Sequence, residues 1–285
     1  MTANRPVEVR PVGVSKRDAL RRSLLVIASF WIGALHAHPE IAGALSRLNA
    51  QIAAETDNAA LYLERGLLYA KHEDWISAEA NYLLAGELAP TLPGLARARG
   101  SLQLAQGGTA EARAEFDRAL TQNPHDIEAR LLRARTQARL GAADAALADW
   151  NAGLARLENP RPEFYLERAE LIRSPAAALR SIEDGLERLG SVFILENRAL
   201  ELEEALGRID AVLARVDRMI AGTERKETWL KRRGDVLTRA GRRAEARTAY
   251  ETGLKEIADL PRWLQDSPET AHLAAELQRL VRLSR

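Results

Sequence analysis

The stretch LYLERGLLYAKHEDWISAEANYLLAGELAP, Leu61–Pro90, decides the fold. Near its start Arg65 and Gly66 interrupt an apolar pattern of helical period, where a glycine costs about 1 kcal/mol relative to alanine. The reason for that glycine lies one period further on. Over LARARGSLQLAQGGTAEARAEFDRALTQNP, Leu95–Pro124, the stretch places Gly66 on Gly100, Ala78 on Ala112, Tyr82 on Phe116, Ala85 on Ala119 and Pro90 on Pro124, each 34 residues apart. A third copy puts Ala134, Ala146, Trp150 and Gly153 in these slots, and a copy near the C-terminus supplies Gly234, Ala246, Tyr250 and Gly253. Two degraded copies lie between them. Phe164–Leu189 carries Ala169, Ala178, Ile182 and Gly185 and is about one helical turn short. Phe193–Ile220 carries Ala199, Val212, Val216 and Met219, with one extra residue before Gly207.

Each copy contains two apolar stripes of helical spacing, broken by Gly107-Gly108, Gly141, Gly207 or Gly241 and closed near Pro90, Pro124 or Pro160. Small residues recur where two helices of a hairpin must cross closely, and Tyr82, Phe116, Trp150 and Tyr250 fill the remaining space. One hairpin cannot bury its own apolar face, so hairpins must stack. Alanine, leucine, arginine and glutamate dominate the composition, which suits an all-α chain. The period predicts six hairpins, at 58–91, 92–125, 126–160, 161–190, 191–222 and 226–258. Ile41, Leu45, Leu48 and Ile52 predict an N-terminal capping helix within 38–57, and Leu273, Leu277, Leu280 and Leu283 a C-terminal one within 259–285.

This pattern resembles the tetratricopeptide repeat. The family's slots for a large residue, then small, aromatic, small, large, small and proline are filled by Tyr62, Gly66, Tyr69, Ala78, Tyr82, Ala85 and Pro90. Arg65 departs from it, standing where leucine is usual. The resemblance covers 58–258 and implies a right-handed α-solenoid of about six hairpins with capping helices. It also implies a concave groove, lined by the first helices of successive hairpins, that takes a protein or peptide partner. Carried over by position, the groove residues are Leu63, Leu67, Ala70 and Lys71, then Arg97, Ser101 and Leu104. Later repeats add Glu128, Leu131, Arg135 and Arg139, and then Lys231, Asp235, Thr238 and Arg239. The lysines and asparagines with which some members clamp a chaperone's C-terminal carboxylate are missing from the first two repeats. Arg97, Arg135 and Arg139 either grip an acidic segment or are simply solvated. Arginine recurs beside the crossing residue as Arg65, Arg99, Arg133, Arg168, Arg198 and Arg233. Six copies argue for a structural role, with the guanidinium reaching an acid on the partner helix, such as Glu115 for Arg99 or Asp149 for Arg133.

No catalytic constellation is visible. The chain lacks cysteine, a glycine-rich phosphate loop, a Gly-x-Ser-x-Gly elbow and a His-Glu-x-x-His helix. Glu203-Glu204, beside Glu201, read as a solvated face rather than an acid/base pair. Of five histidines only His36 and His38 are close in sequence, and Pro39 removes the backbone amide that would help His38 hold Cu²⁺ at a free N-terminus. Neither an enzyme, a cofactor nor a metal is expected. Formal net charge is +1, so no global field recruits nucleic acid. Residues 225–250 hold nine Lys/Arg against three acids, but without interleaved aromatics. No nucleic-acid partner is expected.

The N-terminus has a different character. Lys16, Arg17, Arg21 and Arg22 precede LLVIASFWIGAL, Leu24–Leu35, an apolar run too short for an ordinary transmembrane helix. Residues 1–37 read as a basic leader with a secretory signal cleaved after Ala37, or as an uncleaved anchor. Arg21-Arg22 faintly resembles a twin-arginine signal. The expected function is therefore a non-enzymatic, exported scaffold or adaptor, periplasmic and binding protein or peptide. The alternative is an inner-membrane-anchored accessory subunit that holds an envelope enzyme complex, touching the membrane only through its N-terminal segment.

Overall fold

A computed structural model describes residues 39–284; the leader, its cleavage site, His36 and His38 lie outside the described residues. The described chain is an all-α solenoid of paired helices without a strand. It forms two compact units divided between Asp149 and Trp150. The first contains α1 (Pro39–Ala54), α2 (Ala59–Lys71), α3 (Trp75–Leu88), α4 (Leu95–Ala105), α5 (Thr109–Gln122), α6 (Ile127–Arg139) and the start of α7 (Ala143–Leu154). The second contains the end of α7, then α8 (Pro162–Glu170), α9 (Pro175–Leu189), α10 (Phe193–Ala205) and α11 (Ile209–Ala221). It continues through α12 (Glu227–Arg239), α13 (Arg243–Ala258), the single turn α14 (Arg262–Gln265) and α15 (Pro268–Leu283).

Local chemistry sets the helix ends. Asn58, Asp74 and Asp126 cap α2, α3 and α6 by accepting from the backbone N–H groups of Ala60, Ser77 and Ala129 at 3.2, 3.0 and 2.9 Å. Proline opens α8, α9 and α15, where its fixed φ suits a first turn. Inside hairpins the chain reverses through glycine in the left-handed region, as at Gly107 (φ 85°) and Gly241 (φ 75°). In the first hairpin Glu73 takes that conformation, at φ 60°. The shortened fourth copy appears as a nine-residue α8 joined to α9 by four residues.

The crossing glycine is explained by distance. A Cβ on Gly66 would stand 2.5 Å from a Tyr82 ring carbon, and one on Gly100 2.6 Å from Phe116. Both rings are buried, and each contributes about 2–3 kcal/mol by leaving water. In the first unit, Ile52 and Tyr62 from α1 and α2 join Ala78, Tyr82, Leu95 and Leu102 in one core. In the second, Leu200, Val212, Val216, Leu237 and Tyr250 pack with Leu277 of α15. Leu283, expected on that apolar face, is 71% exposed, as the last residue of a helix that outruns the hairpin it covers.

The recurrent arginines clamp neighbouring hairpins, a wider role than pairing within one. Arg133 donates from Nε to Asp149, the acid expected for it, and from Nη1 to Asp117 of the preceding hairpin, both at 2.7 Å. Arg65 does the same with amides, reaching Asn81 at 2.8 Å and Asn49 of α1 at 2.7 Å. Arg168 reaches Ser181 at 2.8 Å and Asn151 at 3.3 Å, and Arg233 reaches back to Asp217 at 2.8 Å. The acceptor's charge sets the direction in which the pKa values of Arg133 and Arg65 move. The hydrogen bonds that Arg133 donates to Asp149 hold its pKa above its ordinary value against the cost of burial. Burial lowers that of Arg65, whose acceptors are neutral, with Tyr69 and Tyr62 partly offsetting it. Arg99 does not reach Glu115. It donates instead to the Tyr82 carbonyl oxygen at 2.8 Å, while Glu115 pairs with Arg118.

Candidate binding face

The transferred groove residues fall on the first helices of the hairpins, but their environments differ. In the first unit Leu63 is 9% exposed and belongs to the core, whereas Leu67, one turn further along α2, is 48% exposed. Lys71 and Arg139 are exposed at the ends of α2 and α6, and Ser101 and Arg135 are half-buried. Arg97 lies between α4 and the start of α6, held by Asp126 at 3.3 Å and by Glu128, itself one of the expected groove residues. In the second unit Lys231 is held by Asp235 at 2.9 Å and Glu276 at 3.2 Å. Burial opposes its charged form, but the bonds it donates to those two acids outweigh it, and its pKa is raised. Arg239 pairs with Glu204 at 2.8 Å, and that hydrogen bond raises its pKa. Three of the cations expected to meet a ligand are thus neutralised by the chain's own acids.

Apolar groups take their place. Phe193, at the start of α10, is 60% exposed and packs edge-on against Trp229 of α12, with ring centroids 6.1 Å apart. Ile194 beside it is also exposed. Sequence reasoning missed this pair, although a signal existed: Phe193 and Trp229 both stand in the first turn of a hairpin's first helix. An exposed aromatic held in place by a neighbouring ring, as Phe193 is by Trp229, suits anchoring to a partner, because a rigid ring loses little freedom on binding.

The acidic cluster on α10 is corrected by the structure. Glu203 is buried rather than solvated, and with Glu196 it encloses Arg215 of α11. Arg215 donates from Nε and Nη2 to Glu203 at 3.0 and 2.7 Å, and from Nη1 to Glu196 at 2.7 Å. The register explains it. Arg215 stands one residue before Val216, as Asp149 stands one residue before Trp150, so this hairpin carries the opposite charge at that slot. Arg198 then turns to Glu201 on its own helix at 2.7 Å. Glu204 is also engaged, by Arg232 at 2.6 Å and by Arg239. Among the described residues no group of three or more His, Asp or Glu side chains is placed to hold a metal ion.

No family model matches the chain, and no curated protein does. Solved structures do match. The C-terminal part of a TPR repeat-containing protein from Cytophaga hutchinsonii aligns over 80% of this chain and 94% of its own, with TM-score 0.61 and 13% identity. PilW, a type IV pilus biogenesis factor, aligns over 71% of this chain and 93% of its own, with TM-score 0.53 and 18% identity. A tetratricopeptide repeat protein from Parabacteroides merdae aligns over 93% and 99%, with TM-score 0.50 and 15% identity. At such identities the likeness is one of fold, and it joins the 34-residue period, the crossing glycines and the paired helices in one conclusion: this chain has the tetratricopeptide-repeat fold.

Proposed function

We propose that the protein is a non-enzymatic scaffold or adaptor that binds protein or peptide through the first-helix faces of its hairpins. The observation that carries this reading is the contrast on those faces. Leu67, Phe193 and Ile194 are exposed, while Arg97, Lys231 and Arg239 are occupied by internal acids. Each unit selects a partner by its own apolar anchors, Leu67 in the first and Phe193 and Ile194 in the second, and the first adds Lys71 and Arg139 as exposed charges. Of the three arginines expected to grip an acidic segment, this reading sets aside Arg97, because a ligand carboxylate would have to displace Asp126 or Glu128.

We place its action outside the cytoplasm, in the envelope. The basic leader and apolar run of residues 1–37 support export, and the likeness to a pilus biogenesis factor is consistent with an envelope setting. The alternative, an accessory subunit retained by its N-terminal segment, differs in the fate of that segment. N-terminal sequencing of the native protein separates the two, since a mature start at His38 rules out the retained anchor. The binding face is tested by affinity capture from envelope extract, comparing wild type with Leu67→Glu, Phe193→Glu and the control Leu283→Glu. Partners lost with either of the first two and kept with the control support the reading. An unchanged set in all three refutes it.

A further inference from the structure

One clamp in the first unit is incomplete, and a cavity lies where it is broken. Arg65, Arg133, Arg168 and Arg233 each meet a side-chain oxygen of the capping helix or hairpin that precedes them: Asn49, Asp117, Asn151 and Asp217. Asn49, Asp117 and Asn151 are spaced so that the corresponding position before Arg99 is Leu83, which offers no acceptor. Arg99 therefore makes a single side-chain hydrogen bond among the described residues, to the Tyr82 carbonyl oxygen. Its guanidinium lies against Gly86, where a Cβ would collide with it. Beside it opens a cavity of about 210 Å³ lined by Leu83, Arg99, Leu102, Gln103, Glu79 and Glu115.

The surroundings define what would complete the clamp. Among the described residues Arg99 forms no ion pair, although Glu79 and Glu115 share its cavity, and a charge-assisted bond is about twice as strong as a neutral one. Glu115 is drawn away by Arg118, at 2.8 and 2.9 Å, and Glu79 stands exposed at the rim. Leu83 is 48% exposed, and Ile76, on the same side of α3, is 70% exposed. They give an apolar strip leading into the cavity. At about 100° per residue, Arg99, Leu102 and Gln103 point from α4 in the direction opposite to Arg97, Ser101 and Leu104. The cavity and the proposed groove row thus occupy opposite faces of one helix.

We propose that this cavity is a second docking site, for an acidic side chain flanked by an apolar residue on a protein partner. The partner's carboxylate takes the place that Asp117 takes beside Arg133, and its apolar neighbour covers Leu83. The test uses the whole protein and the blocked tripeptide Leu-Asp-Leu, followed by NMR at the Arg99 side-chain Nε–H and the Leu83 methyl groups. The expected result is saturable binding, roughly tenfold tighter than for Leu-Asn-Leu or Leu-Lys-Leu. It should be abolished by Leu83→Asn, which supplies the missing acceptor internally. Leu83→Asn should fold and melt at or above the wild-type temperature. Leu67→Glu, on the groove row, should leave the tripeptide bound. Absence of saturable shifts, equal affinity for the asparagine or lysine peptide, or unchanged binding by Leu83→Asn would each overturn the proposal.

Discussion

Replacing Arg215 by methionine tests whether the reversed hairpin is held by its buried ion cluster. Side-chain exposures of Arg215, Glu196 and Glu203 are 7, 9 and 6%, so all three charges are largely out of water. The guanidinium makes three bonds of 2.7–3.0 Å to the two carboxylates. Arg215→Met removes those bonds and leaves two like charges facing each other in the interior, which costs about 3–5 kcal/mol. The triple variant Arg215→Met/Glu196→Gln/Glu203→Gln leaves no buried charge and should recover most of the loss. A stacked array does not unfold as a single two-state unit. Urea denaturation followed by circular dichroism is therefore best paired with amide exchange on α10 and α11. Exchange there should quicken by roughly 10²–10⁴ in the single variant and return toward wild type in the triple. A loss below about 1 kcal/mol in the single variant, or a triple variant as damaged as the single, would refute the reasoning.

Other outcomes follow from the same contacts. Asp149→Ala strips both Arg133 and Arg130 of their shared acceptor and should cost the first unit about 2–4 kcal/mol in chemical denaturation, with Asp149→Asn milder. Glu73→Gly relieves a side chain held at φ 60° and should raise stability by about 1 kcal/mol or less, read as a higher urea midpoint. Burial pushes the Tyr82 phenol up to about 12, so the folded protein keeps that proton after the unfolded chain has released it near pH 10. Stability should therefore fall as pH rises from about 10 toward 12. Burial also raises the Tyr69 and Tyr250 phenols, so ultraviolet titration should show a late phenolate component that Tyr82→Phe reduces, and titration of Tyr82 near the ordinary value would contradict its burial.

What was legible in the sequence is the part of the fold that each hairpin makes for itself. Gly66 and Gly100 fall 16 residues before Tyr82 and Phe116, and a crossing between two joined helices imposes that spacing on every copy. The glycines at the turns, the caps at Asn58, Asp74 and Asp126, and the shortened fourth copy are local for the same reason. The arginine slot was legible too, and with it the pair Arg133–Asp149. The candidate face was legible only as a row of positions. That Leu63 joins the core while Leu67 faces out, or that Arg97 is spent on Asp126, depends on how the next hairpin packs.

The sequence by itself determined the repeat, its period and the all-α architecture, because a hairpin's crossing residues are dictated by contacts within about 30 residues. Only the tertiary structure decided how the arginines are used. Apart from Arg198, which turns to its own helix, each guanidinium depends on the oxygen that the preceding hairpin or cap presents: amide at Asn49, carboxylate at Asp117, neither at Leu83. The same slot is therefore a neutral clamp, an ion pair or a cavity, according to a neighbour 16 residues away. At Arg215, where the slot holds the opposite charge, it was the packing of α10 against α11 that brought Glu196 and Glu203 to meet it in the interior.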